Sequence, residues 1–287
     1  MKIGVAFPST EIGDDPVVIR DFAQTAEGLG FAHILVYDHV LGVVREGRDR
    51  PLAGVHSVTT PFHEAFVLIG YLAGLTSRIE FATGVIVLPQ RQTALVAKQA
   101  AEIDILSGGR LRLGVGTGWN HVEFEGLNAE FSGRGRRQEE QIEVMRRLWA
   151  EPVVDFTGRW HRIDRAGLLP LPTRQIPVWF GGWSDPAFER AVRLGEGFIF
   201  GPARDPIEGI DSVRGFLEKA DRDPGGFGLD VVTSFSDDPA EMVAGAQKFR
   251  DKGATHLTVR TMEAGLPTPR DHIDALGRYA SAVGDLG

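Results

Sequence analysis

The feature that most constrains this chain is a regular alternation of short apolar runs with longer stretches that open on a capping residue and proline. Eight runs read as strands: Lys2–Phe7, His33–Tyr37, Ile79–Val87, Leu111–Val115, Pro177–Phe180, Gly197–Phe200, Leu229–Thr233 and Thr255–Arg260. Several are apolar almost without interruption, the pattern of parallel strands covered on both faces. Between them, Asp15-Pro16, Thr60-Pro61, Asp185-Pro186, Asp205-Pro206, Asp238-Pro239 and Thr268-Pro269 read as helix starts. The Asp or Thr oxygen accepts from orphan first-turn N–H groups, and proline lacks an N–H that would be orphaned there. Asp223-Pro224 runs into Gly225-Gly226 and reads as a turn, while Gly30, Gly108-Gly109, Gly195 and Gly253 read as helix stops. In the helix over Arg136–Trp149, Ile142, Met145, Leu148 and Trp149 share one face, which reads as core.

These βα units follow one another without a break in style. That predicts an α/β fold, one closed (β/α)8 TIM barrel over residues 1–287. An open doubly wound sheet would carry Gly-x-Gly-x-x-Gly after its first strand; here that strand ends Phe7-Pro8-Ser9-Thr10. Two segments exceed ordinary loop length. Val40–Thr60 follows the second strand and carries Arg45, Arg48, Arg50 and His56; its position predicts a substrate lid. Glu151–Ile176 precedes the fifth strand and predicts a hairpin, Val153–Phe156 against Trp160–Ile163, turning at Thr157-Gly158-Arg159.

Composition removes several classes of function. With no cysteine there is no disulfide framework, thiolate nucleophile or Cys-based metal site, which fits a cytoplasmic protein. A net charge of −8 has the wrong sign for sequence-independent nucleic-acid binding. Met1–Pro8 is too short an apolar run for a signal peptide, and no run approaches the ~20 residues of a membrane span. None of the lysines (Lys2, Lys98, Lys219, Lys248, Lys252) stands at a strand C-terminus, so Schiff-base chemistry lacks its nucleophile. The histidines form neither His-x-His nor His-Glu-x-x-His, so no metal site is expected.

In a barrel, chemistry sits just past the strand C-termini. Tyr37-Asp38-His39 follows the second strand; a histidine beside a carboxylate there can act as a general acid or base near neutral pH. Thr83-Gly84-Val85 interrupts the third strand, marking a bulge or a close ligand approach. Gly114-Val115-Gly116-Thr117-Gly118-Trp119-Asn120 ends the fourth. Its alternate glycines predict an edge bare of side chains, against which a flat ring could lie. Phe180-Gly181-Gly182-Trp183-Ser184 ends the fifth and runs into a helix N-terminus, a ready anion site. The loops after the seventh and eighth strands, Ser234–Asp238 and Arg260–Glu263, are largely acidic and glycine-free, hence poor for phosphate.

Taken together these stretches resemble the luciferase-like superfamily, and within it oxidoreductases that use the deazaflavin coenzyme F420. The most specific likeness lies in Leu113–Leu127, Arg134–Glu140 and Pro177–Ser184. The resemblance implies hydride transfer between coenzyme F420 and an organic substrate, with His39 as acid/base beside Asp38. It implies a cofactor seat of Asp38, His39, Thr83, Gly84, Val85, Gly118 and Asn120, with a non-prolyl cis peptide at the bulge. Gly181, Gly182, Trp183 and Ser184 would form its phosphate loop, and Trp119 and His56 would wall the substrate pocket. Sugar-phosphate dehydrogenases of this superfamily carry Glu where this chain has Trp119, and their phosphate-binding lysines are missing, which argues against glucose-6-phosphate. Two alternatives stay open: an FMN-dependent two-component monooxygenase on the same fold, and a non-catalytic cofactor-binding barrel subunit. Relatives often form dimers through the helices after strands two and three; the apolar Phe66–Leu72 segment is compatible with a homodimer, and equally with burial inside one protomer.

Overall fold

Every apolar run predicted as a strand becomes a stave of one closed barrel. The computed structural model describes residues 1–50, 52 and 56–284. Its strands are β1 (Lys2–Ala6), β2 (His33–Val36), β3 (Glu80–Thr83), β4 (Ile86–Val87), β5 (Leu111–Gly116), β6 (Val154–Thr157), β7 (Arg162–Ala166), β8 (Val178–Gly181), β9 (Gly197–Phe200), β10 (Gly228–Ser234) and β11 (His256–Arg260). Parallel pairing runs β3-β2-β1-β11-β10-β9-β8-β5, and Phe81 and Ala82 of β3 pair with Leu111 and Arg112 of β5 to close the ring. The Ile79–Val87 run divides at the cis Gly84-Val85 peptide and resumes as β4, which pairs with the far end of β5.

The helices are α1 (Pro16–Gly28), α2 (Ala65–Leu75), α3 (Thr93–Ser107), α4 (His121–Gly126), α5 (Arg134–Ala150), α6 (Asp185–Leu194), α7 (Pro206–Lys219), α8 (Pro239–Asp251) and α9 (Pro269–Val283). Asp15, Asp205 and Asp238 accept from the backbone N–H two residues on, and Thr268 forms a reciprocal capping box with Asp271. Two expectations change. Thr60-Pro61 opens no helix: the Thr60 hydroxyl accepts from the Ser57 N–H, and α2 starts later, capped by Glu64. Asp185 is the first residue of α6 rather than its cap; Ser184 takes the cap position with its hydroxyl making no capping bond. Asp223-Pro224 opens a turn as expected, a single 3-10 turn over Pro224–Gly226.

The hairpin forms with its turn displaced to Gly158–His161, pairing Val154 with Ala166 and Thr157 with Arg162. The cause lies outside it: the Glu140 carboxylate of α5 collects the N–H groups of Arg159, Trp160 and His161, and the His161 ring sits 2.6 Å from Thr93 Oγ1. This holds the hairpin against α3 and α5.

Two layers fill the barrel interior beneath the strand C-termini. Ala6, Leu35, Ala82, Trp179, Ile199, Val232 and Met262 form an apolar layer. Below it, buried Asp230 accepts from Arg112 Nη2 at 2.9 Å and Thr258 Oγ1 at 2.8 Å, with His33 Nε2 at 3.3 Å. Burial raises the Asp230 carboxyl, but Arg112 and His33 pull it well below the ordinary carboxylate range. Burial, then Arg112, pushes the His33 pKa below its ordinary value. Gly4 makes this layer possible, since a Cβ there would come within 2.3 Å of the His33 ring. The mouth above is therefore a cleft over a packed floor.

Candidate active site

A cleft of about 410 Å³ opens at the strand C-termini, lined by Tyr37, Asp38, His39, His56, Val85, Trp119, Trp183 and Ser184 together with Gly84, Gly116, Gly118, Gly181 and Gly182. That volume suits a bound organic cofactor or substrate. A larger hollow of about 720 Å³ opens at the opposite end, around Met1, Phe31, His256 and Val283. It lies at the strand N-termini, where a parallel barrel builds stability rather than chemistry, and borders the end of the described residues.

Asp38 and His39 share an origin at the end of β2 and then part company. The Asp38 carboxylate accepts from the Val87 N–H at 3.0 Å and from Arg91 Nη2 at 2.7 Å, with Arg91 Nε at 3.4 Å. Arg91 also donates to Glu64 at 3.0 Å. Burial lowers the Arg91 pKa, but Asp38 and Glu64 outweigh it and raise it overall. All the approaches to Asp38 are donors, so this side chain ties β4 and the start of α3 to β2. It is occupied as a clamp and is not the partner of His39.

The partner is Glu123 of α4. His39 Nδ1 lies 3.4 Å from Glu123 Oε2, and the Glu123 side chain is 1% exposed. Its other oxygen accepts from the Val40 and Leu41 N–H groups. Burial pushes the Glu123 carboxyl up, but the His39 contact and those backbone donors pull it below its ordinary value. Around the His39 ring stand His56 at 4.2 Å, Phe62 at 5.0 Å and Trp119 at 5.9 Å between centroids. Burial, then His39 and Arg45, pushes His56 down to about 4, so it is neutral at pH 7. The predicted lid, Val40–Thr60, reaches the cleft through His56; its residues 51 and 53–55 lie outside the described residues.

The glycines work differently from the expected bare platform. A Cβ on Gly84 would meet Leu35 at 2.2 Å, on Gly116 would meet Val85 at 2.5 Å, and on Gly118 would meet Val87 at 2.4 Å. They let neighbouring apolar side chains come in close, and Val85 stands in the mouth facing Gly116 and Gly181. A flat ring would meet Val85 rather than naked backbone. Thr83 and Asn120 do not line the cleft. Thr83 is buried with its hydroxyl on the Gly114 carbonyl at 2.7 Å, and Asn120 caps α4 through the Glu123 N–H at 3.3 Å.

The Gly181–Ser184 turn delivers the N-terminus of α6 to the cleft edge. Gly182 has φ +144°, a conformation side chains resist, and the Ser184 hydroxyl is free of capping. Arg204 donates to the Trp183 carbonyl at 3.3 Å, placing a cation beside the turn. Sequence reasoning missed Arg204, Arg91 and Glu123, together with Tyr37, whose buried hydroxyl has no hydrogen-bond partner among the described residues. A signal for Tyr37 existed, because strand alternation puts it on the same inward face as Leu35. Glu123 had none, since its distance from His39 in sequence hides the contact.

Among the described residues no group of three or more His, Cys, Asp or Glu is arranged to hold a metal, and no helix is long and apolar enough to cross a membrane. A family model described as luciferase-like monooxygenase matches residues 1–283. Uncharacterized protein Rv0940c of Mycobacterium tuberculosis (strain ATCC 25618 / H37Rv) is 35% identical over 199 residues, 69% of this chain and 68% of its own length. Pyrimidine monooxygenase RutA of Acinetobacter baylyi is 30% identical over 268 residues, 88% of this chain and 71% of its own. An F420-dependent glucose-6-phosphate dehydrogenase of Microbacterium testaceum is 27% identical over 209 residues, 72% of this chain and 58% of that protein. The fold is shared with an F420-dependent secondary alcohol dehydrogenase, at TM-score 0.79 and 19% identity over 98% of both chains. The homologues thus include oxidoreductases, both F420-dependent dehydrogenases and monooxygenases, and this chain belongs to the luciferase-like monooxygenase family.

Proposed function

We propose that this protein is an oxidoreductase that transfers a hydride between coenzyme F420 and an organic substrate. The observation that carries the reading is that one cleft gathers a buried-sided histidine, His39, and a free helix N-terminus, Ser184, with apolar walls between them. The residues fit such a cofactor. Gly182 keeps the α6 entry clear of side chains, Ser184 offers an uncapped hydroxyl beside first-turn N–H groups, and Arg204 adds a positive charge for a phosphate. Val85 and Gly84 would back the ring system, and Tyr37 offers an unused donor in the same cleft. When bound, the deazaflavin would supply a carbon that accepts or gives the hydride. The chain itself would orient substrate against the Trp119 and His56 wall, exclude water there, and take up or release a proton at His39 Nε2. The absence of cysteine agrees with a cytoplasmic setting. The exposed Val67 and Tyr71 on α2 are the face we assign to a homodimer contact.

A second reading, an FMN-dependent monooxygenase, draws on the 30% identity to a pyrimidine monooxygenase across 88% of the chain. Titrating the purified protein separately with F420 and with FMN, following fluorescence quenching, discriminates them. Saturable quenching of F420 alone is expected. Saturation by FMN alone replaces the first reading with the second. Binding of neither removes both, and a cofactor that binds but fails a single-turnover test in its reduced form supports a non-catalytic cofactor-binding subunit.

A further inference from the structure

The side chain next to His39 in sequence is committed elsewhere, and the one beside it in space does two jobs at once. Glu123 Oε1 accepts the Val40 and Leu41 N–H groups, and Oε2 lies 3.4 Å from His39 Nδ1. Nδ1 is buried and makes no aligned hydrogen bond among the described residues, so the Glu123 carboxylate at ion-pair distance is the acceptor it meets, and the His39 ring lines the cleft. We infer that Glu123 is a positioning residue that holds a proton on His39 Nδ1, so that Nε2 faces the cleft as an unprotonated acceptor ready to take a proton from substrate. A carboxylate with its other oxygen filled by two donors can meet the imidazole only as an acceptor. The neighbouring rings do not set the tautomer: Phe62 is apolar, and neither Trp119 nor neutral His56, whose ring lies tilted by 53° at 4.2 Å between centroids, hydrogen-bonds the His39 ring among the described residues. The Arg45 charge acts on His56, and Glu123 is the only carboxylate within ion-pair reach of His39 among the described residues.

The test follows from the same donors. In Glu123→Gln the amide oxygen must stay with the Val40 and Leu41 N–H groups, so the NH2 group turns toward His39. An NH2 donor requires Nδ1 to accept, and the ring proton moves to Nε2. Long-range 15N–1H correlation spectra of labelled protein without cofactor read this directly, with the His39 signals assigned by their loss in His39→Asn. Protonated Nδ1 is expected in the wild type at pH 8 and protonated Nε2 in the Gln variant. Glu123→Asp keeps an acceptor and is expected to keep the wild-type tautomer; it also serves if the Gln variant does not fold. In turnover, the Gln variant is expected to lose about 100-fold or more in kcat with cofactor Kd changed less than twofold, by analogy with tautomer reversal in other carboxylate–histidine pairs. A wild-type proton on Nε2, or the same tautomer in wild type and Gln variant, overturns the inference. The role in turnover rests on the proposed function, but the spectra do not: failure to bind F420 would sink that function and leave the tautomer assignment to stand or fall alone.

Discussion

Asp38→Asn separates structure from chemistry at this site. Every approach to the Asp38 carboxylate is a donor: the Val87 N–H at 3.0 Å, Arg91 Nη2 at 2.7 Å and Arg91 Nε at 3.4 Å. An amide has one acceptor oxygen, so its NH2 must confront either the Val87 N–H or the guanidinium. Leaving a buried donor unsatisfied costs about 1–3 kcal/mol. Removing one member of a buried ion pair costs about 3–5 kcal/mol. The two costs overlap, and Arg91, 13% exposed, keeps Glu64 at 3.0 Å, so the low end applies: about 3 kcal/mol. For a chain of this length that lowers Tm by roughly 6 °C, since each kcal/mol moves a domain of 150–250 residues by about 2–4 °C. Differential scanning calorimetry beside urea unfolding measures it, with His39→Asn as the comparison, expected within about 1 kcal/mol of wild type because the Asn amide N–H can stand in for Nδ1 against Glu123 and Nε2 has no partner among the described residues to lose. An Asn variant with wild-type Tm and abolished turnover would refute the clamp and return Asp38 to the chemistry.

His39→Ala is expected to cut turnover about 100-fold or more while cofactor affinity survives, which a quenching titration beside steady-state kinetics checks. Gly182→Val puts a β-branched side chain at φ +144°, with its Cβ 3.2 Å from that of Ala187; cofactor Kd should rise about tenfold or more, and an unchanged Kd would take the turn out of the binding site. Burial, then Arg112, pushes His256 down to about 3 and holds His33 below its ordinary value. Both groups have folded pKa values depressed from about 6.5, so their contribution is complete above pH 6.5. It is lost as the pH falls toward 3, because the unfolded chain takes protons that the folded barrel refuses, at up to about 1.4 kcal/mol per pH unit per group. Urea midpoints should therefore fall between pH 7 and pH 5, and a flat or rising midpoint would contradict the burial of these rings.

The contrast between Asp38 and Glu123 explains why the fold was more legible than the site. Asp38-His39 looks like a pair because the residues are adjacent, yet successive side chains at a strand end leave on opposite sides. That rule was available from the sequence and argues against the pairing. No rule of spacing reaches Glu123, which meets His39 only because α4 follows β5 and β5 stands one strand beyond β3 in the closed ring. The hairpin teaches the same lesson at smaller scale: its existence was readable from Val153–Ile163, while its turn was set by Glu140 on another element.

By itself the sequence determined the eight barrel staves, the helix starts at Asp15, Asp205, Asp238 and Thr268, and the glycine turn before α6. Each of these depends on interactions spanning a few residues: backbone propensity, apolar period, a cap and its first-turn N–H groups. Tertiary structure alone decided what fills the space beside Gly84, Gly116 and Gly118, which donors occupy Asp38, and which acid stands behind His39. Those choices follow from register and ring closure, which bring together the ends of strands that the chain keeps far apart.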